Sequence, residues 1–187
     1  PGHHAGSDHY GGYCFLNNAA IAAQKLLDDG AKRIAILDID YHHGNGTQQI
    51  FYQRDDVLFV SLHGHPDEEY PYLLGYEDET GTGPGEGLNL NFPLHWGTGW
   101  PEWSAALDVG LSRIADYGAD AIVVSLGVDT YKGDPISHFQ LDHEHFTQTG
   151  GRIAALDKPT LFVMEGGYAV AEIGINAVNV LTGFKSA

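Results

Sequence analysis

The sequence has 187 residues, of which 9 are lysine or arginine and 25 are aspartate or glutamate, giving a formal net charge of −16. Such a charge repels phosphate backbones and argues against nucleic-acid binding, whereas cations and small amines are compatible ligands. No run of about 18 apolar residues is present, which argues against a membrane span. The only cysteine, Cys14, excludes a disulfide framework and fits a reducing compartment, so we expect a cytoplasmic protein.

The length suits one α/β domain with a substantial core. The sequence begins at Pro1, and its only methionine is Met164. We therefore expect it to be a piece of a longer protein whose N-terminal part precedes Pro1.

Apolar, β-branched segments alternate with helix-like stretches along the chain. In chain order the predicted elements are a helix over Asn17–Asp29, strands over Arg33–Asp40 and Val57–His63, a long loop over Gly64–Trp100, a helix over Glu102–Tyr117, a strand over Ala121–Gly127, a helix over Asp142–Asp157, a strand over Thr160–Glu165 and a helix over Ala169–Leu181. Near-continuous apolar strands are typical of a parallel sheet buried on both faces. The alternation predicts a layered α/β fold with functional residues at the carboxyl ends of strands.

Residue types that bind metals are densest where the first predicted strand ends. Asp38, Asp40 and His42 stand at i, i+2 and i+4 in the segment DIDYHHGNG. On a strand that spacing places all three side chains on one side. Carboxylate oxygen and imidazole nitrogen are normal zinc ligands, and a buried carboxylate needs a cation or another partner. The segment predicts a metal site; a solvated turn is the alternative.

A second carboxylate follows another predicted strand, in the segment SLGVD that ends at Asp129. If the two strands are parallel neighbours, Asp129 meets the first cluster at one edge of the sheet. Asp40, His42 and Asp129 would then supply three zinc ligands and leave a fourth position for water, as in catalytic zinc sites. Taken alone, Asp129 is equally well explained as a cap or turn residue.

The adjacent histidines His3 and His4 are suited to acid–base chemistry. Hydrolysis at zinc needs a base for the attacking water and an acid for the leaving amine, and two imidazoles can share these tasks. Asp38 and Asn45 are the candidates to orient them. A surface pair or a tag-like artefact is the alternative, and the sequence leaves open which histidine is the base.

Tyr168 follows two glycines at the end of the last predicted strand. Its hydroxyl could donate to the oxyanion of a tetrahedral intermediate beside the metal. A tyrosine that packs after a glycine turn is the alternative.

Together these motifs resemble those of the zinc-dependent histone deacetylase superfamily. The matching segments, in family order, are PGHHA at 1–5, GYCFLNN at 12–18, DIDYHHGNG at 38–46, LGVD at 126–129 with GDP at 133–135, and EGGY at 165–168. The resemblance implies an α/β, arginase-like three-layer fold with a mainly parallel sheet, incomplete at its N-terminal side. It also implies that residues 1–187 are a single deacetylase catalytic domain.

Within the superfamily, the segments HPDEEYP at 65–71 and GEGLNLN at 85–91 resemble bacterial acetylpolyamine amidohydrolases. The resemblance implies Zn²⁺-dependent hydrolysis of N-acetyl amides, with a small acetylated cationic amine as the substrate. Deacetylation of acetyl-lysine in proteins is the first alternative, and a non-catalytic metal-binding sensor is the second. A homodimer is left open.

The resemblance also implies roles for residues around the metal. Tyr13 and Tyr70 would wall a narrow channel with Ile136 at its base, while Gly12 and Gly166 would offer backbone contacts to the substrate amide.

A structural K⁺ is implied near Asp38, Ser61 and the carbonyls of Asp40, His42 and Leu62. The acidic residues Asp67, Glu68 and Glu69 are a candidate site for the distal amine, with a solvated acidic loop as the alternative.

Overall fold

One five-stranded parallel sheet forms the centre of the computed structural model, which describes residues 1–187. The strands are β1 (Ile34–Asp38), β2 (Val57–Gly64), β3 (Asn89–Leu94), β4 (Ala121–Leu126) and β5 (Thr160–Met164). Their spatial order is β3-β2-β1-β4-β5. The chain runs outward from β1 to β3 and then returns to the other side of β1. The carboxyl ends of β1 and β4 therefore flank the point where the strand order reverses, which is where open α/β sheets bind ligands.

Helices cover both faces of the sheet and give three layers. They are α1 (Asn18–Asp28), α2 (Asn45–Phe51), α3 (Trp100–Tyr117), α4 (His143–Ala154) and α5 (Ile173–Ser186), with short 3₁₀ turns at Gly2–His4 and Gly83–Gly85. The smaller core packs α1 and α2 against one face, and the larger core packs α3, α4 and α5 against the other. Every residue of β1, β2 and β4 is buried, so the prediction of a parallel sheet between helix layers is confirmed.

The helix ends follow from the residues that terminate them. Asn17 caps α1, since its Oδ1 accepts the N–H of Ala20 at 2.9 Å. Gly118 ends α3 in the left-handed conformation, with φ of 70°. Asp142 and His145 form a capping box at the start of α4. These signals explain why the predicted helices α1, α3 and α4 begin and end within a few residues of the observed bounds.

Two elements differ from the prediction. The predicted loop Gly64–Trp100 contains β3, and α2 was not predicted at all. β3 is an edge strand whose Asn89 and Asn91 are buried, and both donate to the side-chain oxygen of Gln48 on α2. Because these contacts are tertiary, neither element shows an apolar period in the sequence.

The last helix is shifted along the chain relative to its prediction. It was predicted to begin at Ala169 but begins at Ile173. The backbone N–H of Ala169 donates to Asp134 Oδ2 at 3.1 Å, so this part of the chain is held in a turn instead.

None of the helices has both the length and the apolar character needed to cross a membrane.

Candidate metal centre

The carboxyl ends of β1 and β4 bring Asp40, His42 and Asp129 together. All three side chains are buried, and one ligand atom from each lies within 4.8 Å of the other two. The Nδ1 of His42 lies 3.4 Å from Asp40 Oδ1 and 3.3 Å from Asp129 Oδ2. β1 and β4 are direct parallel neighbours, with Asp38 opposite Ser125, which explains why residues after the two strands meet.

The predicted strand position of this cluster needs one correction. β1 ends at Asp38, so Asp40 and His42 lie in the segment that follows the strand and do not share a strand face with Asp38. Asp38 is not part of the three-residue cluster. Its Oδ1 accepts the N–H of Asp40 at 3.2 Å, and its Oδ2 pairs with His3 at 2.9 Å.

The donor set fits a divalent cation such as zinc. Two carboxylates and an imidazole nitrogen converge, and all three are normal zinc ligands. Burial and the negative charge of Asp40 raise the pKa of Asp129 to about 7, and the contact with His42 opposes this shift only in part. A bound cation would relieve this repulsion.

Backbone N–H groups orient both carboxylates. Asp40 Oδ2 accepts the N–H of Gly166 at 2.6 Å, and Asp40 Oδ1 accepts that of His42 at 2.9 Å. Asp129 Oδ1 accepts the N–H of Tyr41 at 2.8 Å, which leaves Oδ2 facing the cluster. Such outer contacts fix ligand geometry before a metal binds.

Glycines make room for the cluster. A Cβ at Gly166 would lie 2.5 Å from Asp129 Oδ2 and 2.6 Å from Asp40 Oδ2. A Cβ at Gly127 would clash with Asp40. Gly127 was not among the predicted site residues. Its position directly after an apolar strand is the sequence signal that could have indicated its contact with Asp40.

The two adjacent histidines have separate partners. His3 Nδ1 lies 2.9 Å from Asp38 Oδ2, and His4 Nδ1 lies 2.7 Å from Asn45 Oδ1. Both imidazoles are almost fully buried, and their ring centroids are 4.1 Å apart. The structure thus pairs each histidine with one of the two residues that the sequence offered as orienting groups.

Their surroundings favour opposite protonation states. Burial alone would lower the pKa of His3, but attraction to the carboxylates of Asp38 and Asp40 raises it to about 9. Burial, together with the charge of His3, lowers the pKa of His4 to about 2. His3 is therefore held charged and His4 neutral.

A cavity of about 470 Å³ opens onto this cluster. Its lining residues are Pro1, His4, Tyr10, Gly11, Gly12, Tyr13, His42, Tyr70, Ile136 and Tyr168. Four of the five predicted channel residues and the predicted oxyanion donor thus border one space. Tyr13 is 98% exposed and lies at the rim.

Gly166, the fifth predicted channel residue, does not line the cavity. Its N–H donates to Asp40, and its carbonyl accepts the N–H of Val128 at 2.7 Å. Both backbone groups of Gly166 thus have partners inside the protein, and its contact with a substrate amide stays a prediction. The contact seen in the structure is with the candidate ligand Asp40.

The acidic segment near the cavity is tied into its own loop. Glu69 Oε2 accepts the Tyr41 hydroxyl at 3.0 Å, and Glu68 Oε2 accepts the N–H of Trp96 at 3.0 Å. Asp67 accepts the Tyr76 hydroxyl at 2.6 Å. Each carboxylate thus has a partner within the protein, and a role in binding the distal amine stays a prediction.

The residues proposed for a potassium site lie close in the sheet. Asp38 of β1 pairs with Ser61 of β2 in the parallel register, and both are fully buried, as is Leu62. Ser61 Oγ lies 2.8 Å from His63 Nδ1. His63 Nε2 in turn donates to the Gly75 carbonyl at 2.9 Å, which is a structural role.

Two carboxylates at the site had no role in the sequence prediction. Glu165 Oε2 accepts the N–H of His3 at 3.2 Å, while its Oε1 is buried without a partner. Asp134 accepts N–H groups from the segment that carries Tyr168. Both lie within motifs that the resemblance matched, but their roles depend on contacts between distant segments.

A parallel α/β sheet with two carboxylates and an imidazole at its switch point defines an α/β protein with a candidate catalytic metal centre. The chain belongs to the histone deacetylase domain family, whose model matches residues 1–184.

The chain is similar to several bacterial proteins. It is 68% identical over 187 residues to acetylpolyamine amidohydrolase 1 of Pseudomonas aeruginosa, covering 100% of this chain and 54% of that protein. It is 61% identical over 183 residues to acetylpolyamine amidohydrolase of Mycoplana ramosa, covering 98% and 54%. A crystal structure of acetylpolyamine aminohydrolase from Burkholderia pseudomallei matches with a TM-score of 0.96 and 45% identity, covering 100% and 54%. The chain thus spans about half the length of the relatives it matches.

Proposed function

We propose that this chain carries the catalytic centre of a zinc-dependent amide hydrolase that releases acetate from small acetylated amines, with acetylpolyamines as the main substrates. One observation carries the proposal: Asp40, His42 and Asp129 converge beside a cavity that is also lined by His4 and Tyr168. The names of the bacterial relatives at 68% and 61% identity support the substrate class.

In this proposal Asp40, His42 and Asp129 hold Zn²⁺. Zinc in such a site supplies Lewis-acid polarisation of a carbonyl and lowers the pKa of water to about 7. The three ligands leave the cavity side open to substrate, as a catalytic site requires.

His4 is the proposed general base. Its Nδ1 donates to Asn45 Oδ1, because an amide carbonyl oxygen can only accept. The lone pair of the neutral imidazole is therefore on Nε2. A neutral imidazole at the cavity wall can take the proton of an attacking water at Nε2.

His3 is the proposed source of the proton for the leaving amine. The raised pKa keeps it charged, with one proton on Nδ1 toward Asp38. Its Nε2 is buried, lies 3.6 Å from Asp40 Oδ1 and forms no hydrogen bond.

Tyr168 is the proposed oxyanion donor. Its ring borders the cavity, and its hydroxyl can donate to the acetyl oxygen as negative charge develops there. Gly12 also lines the cavity, with φ of 56°, and a Cβ there would clash with Pro1, so this part of the lining depends on glycine.

The cavity walls suit a slim cationic substrate. Tyr13 at the rim and Tyr70 beside His4 both line the cavity, and aromatic rings attract ammonium groups. The net charge of −16 favours the approach of cations and disfavours nucleic acid as a partner. A cytoplasmic location and a K⁺ beside Asp38 and Ser61 complete the proposal.

The test compares substrates on the complete gene product loaded with zinc. Acetate release from acetylputrescine is expected to exceed release from an acetyl-lysine peptide, and both are expected to be lost in Asp129→Asn. Faster turnover of the peptide would favour a protein deacetylase. A zinc-loaded protein that hydrolyses neither substrate would favour a metal-binding sensor and overturn the proposal.

A further inference from the structure

Asp134 is a buried carboxylate that none of the proposed steps uses. Only 6% of its surface is exposed, and it lies in the loop between β4 and α4. Its Oδ2 accepts the N–H of Tyr168 at 2.7 Å and that of Ala169 at 3.1 Å. Its Oδ1 accepts the N–H of Ile136 at 3.1 Å. One side chain thus joins the two segments that place Tyr168 and Ile136 on the cavity.

Asp134 supplies the contact at Tyr168 itself. The chain before this residue is anchored at Gly166, whose N–H donates to Asp40 and whose carbonyl accepts the N–H of Val128. The backbone N–H of Tyr168 has Asp134 as its partner. Its hydroxyl has no hydrogen-bond partner within the chain, so the hydroxyl position follows from the backbone that Asp134 holds. Hydrogen bonds to an ionised acceptor are about twice as strong as neutral ones.

The loop that contains Asp134 has its own supports. Tyr131 forms a bridge with Leu141, and the N–H of Lys132 donates to the Leu141 carbonyl at 2.8 Å. The backbone N–H of Asp134 donates to the Tyr131 carbonyl at 2.9 Å. The carboxylate adds one contact within its own loop, from Oδ1 to the N–H of Ile136, and directs Oδ2 at the tyrosine segment.

We infer that Asp134 is a positioning residue that holds the Tyr168 hydroxyl where it can donate to the acetyl oxygen. The inference rests on the proposed function, because it acts through the role given there to Tyr168. Misplacement of a catalytic group by about 1 Å costs about 10²-fold in rate. In Asp134→Asn an amide N–H₂ replaces one of the two oxygens and faces either the N–H of Ile136 or the N–H groups of Tyr168 and Ala169, so the side chain no longer joins the two segments by accepting from both.

The experiment is a double-mutant cycle on the zinc-loaded complete gene product. We expect Asp134→Asn to lower kcat on acetylputrescine by about 10²-fold. In the Tyr168→Phe background the same change should lower kcat less than about twofold, because the hydroxyl that Asp134 positions is already gone. Asp142→Asn is the matched control: it caps α4 on the same loop without touching Tyr168, and its kcat should match that of the unmutated protein.

A second readout does not depend on activity. Amide hydrogen exchange should be slow at Tyr168 and Ala169 in the unmutated protein and at least tenfold faster in Asp134→Asn, with the rest of the sheet unchanged. Equal loss of kcat in both backgrounds, or unchanged exchange at these two amides, would overturn the inference. If the unmutated protein hydrolyses no acetyl amide, the proposed function fails, and the exchange rates alone decide whether Asp134 holds this turn.

Discussion

His3 and His4 are neighbours of the same type that the fold places in opposite environments. The motif suggested their partners, and the structure gives His3 to Asp38 and His4 to Asn45. Their protonation states could not be predicted, because they depend on burial and on the carboxylate of Asp40, which arrives from another segment. The sequence identifies the two imidazoles as functional groups, whereas their packing in the fold determines the charge on each.

Replacing the proposed oxyanion donor is the first prediction. Tyr168→Phe should keep the zinc content of the protein and lower kcat by about 10²–10³-fold, because one donor to the developing charge is lost. Metal analysis and acetate release measure the two quantities. Tyr131→Phe, outside the cavity, should leave kcat unchanged. A zinc-loaded Tyr168→Phe protein with near-normal turnover would remove Tyr168 from the mechanism.

Glu165 gives a prediction for stability against pH in the metal-free protein. Burial, opposed by the charge of His3, raises the pKa of Glu165 from its ordinary 4.5 to about 7. Between these values the folded state keeps a proton that the unfolded state releases, so unfolding free energy falls as pH rises. Glu165→Gln removes this dependence. The variant should gain on the order of 1–3 kcal/mol relative to the unmutated protein between pH 4.5 and pH 7.

Urea denaturation at several pH values after chelation measures the Glu165 effect. A constant difference between the two proteins across the window would show that the Glu165 carboxyl titrates normally.

At the scale of elements, apolar continuity predicted the buried strands β1, β2 and β4 and also β5. It missed β3 and α2 because their polar residues are buried against each other. Gln48 Oε1 accepts from both Asn89 and Asn91, a contact between segments about forty positions apart that no local pattern reveals. The same holds for the site. The metal-ligand candidates at strand ends could be predicted from the sequence, whereas the roles of Asp134 and Glu165 depend on contacts between distant segments.

Helix α4 contains the glycine pair Gly150 and Gly151, and their environments differ. A Cβ at Gly150 would clash with the carbonyl oxygen of Val180 on α5, whereas a Cβ at Gly151 would lie 3.9 Å from the nearest such atom. Gly150→Ala should lower the unfolding free energy by about 1–3 kcal/mol through overpacking. Gly151→Ala should be neutral or stabilising by up to about 1 kcal/mol, since alanine favours the helix. Urea midpoints that move the same way in both variants would contradict this account of the α4–α5 contact.

At the scale of the whole molecule, the β5 edge of the sheet remains uncovered. β5 is an edge strand, and Leu161 and Met164 on it are 46% and 49% exposed. On α5, Ile175 and Val178 are 48% and 58% exposed. The resemblance implied an incomplete sheet, but the location of the uncovered edge at β5 follows only from the strand order.

The exposed apolar side chains predict association when the 187-residue chain is produced alone. It should elute above monomer mass in size-exclusion chromatography with light scattering and bind a hydrophobic dye. The change of Leu161 and Val178 to lysine should reduce both effects. A monodisperse monomer that binds no dye would show that the exposed apolar residues of β5 and α5 do not cause association.

The most direct test of the metal centre is anomalous diffraction at the zinc edge from crystals of the complete gene product. The account predicts one strong peak bounded by a carboxylate oxygen of Asp40, the Nδ1 of His42 and a carboxylate oxygen of Asp129, with the cavity on its open side. The absence of density there from zinc-soaked crystals, or a peak held by other residues, would contradict the central claim.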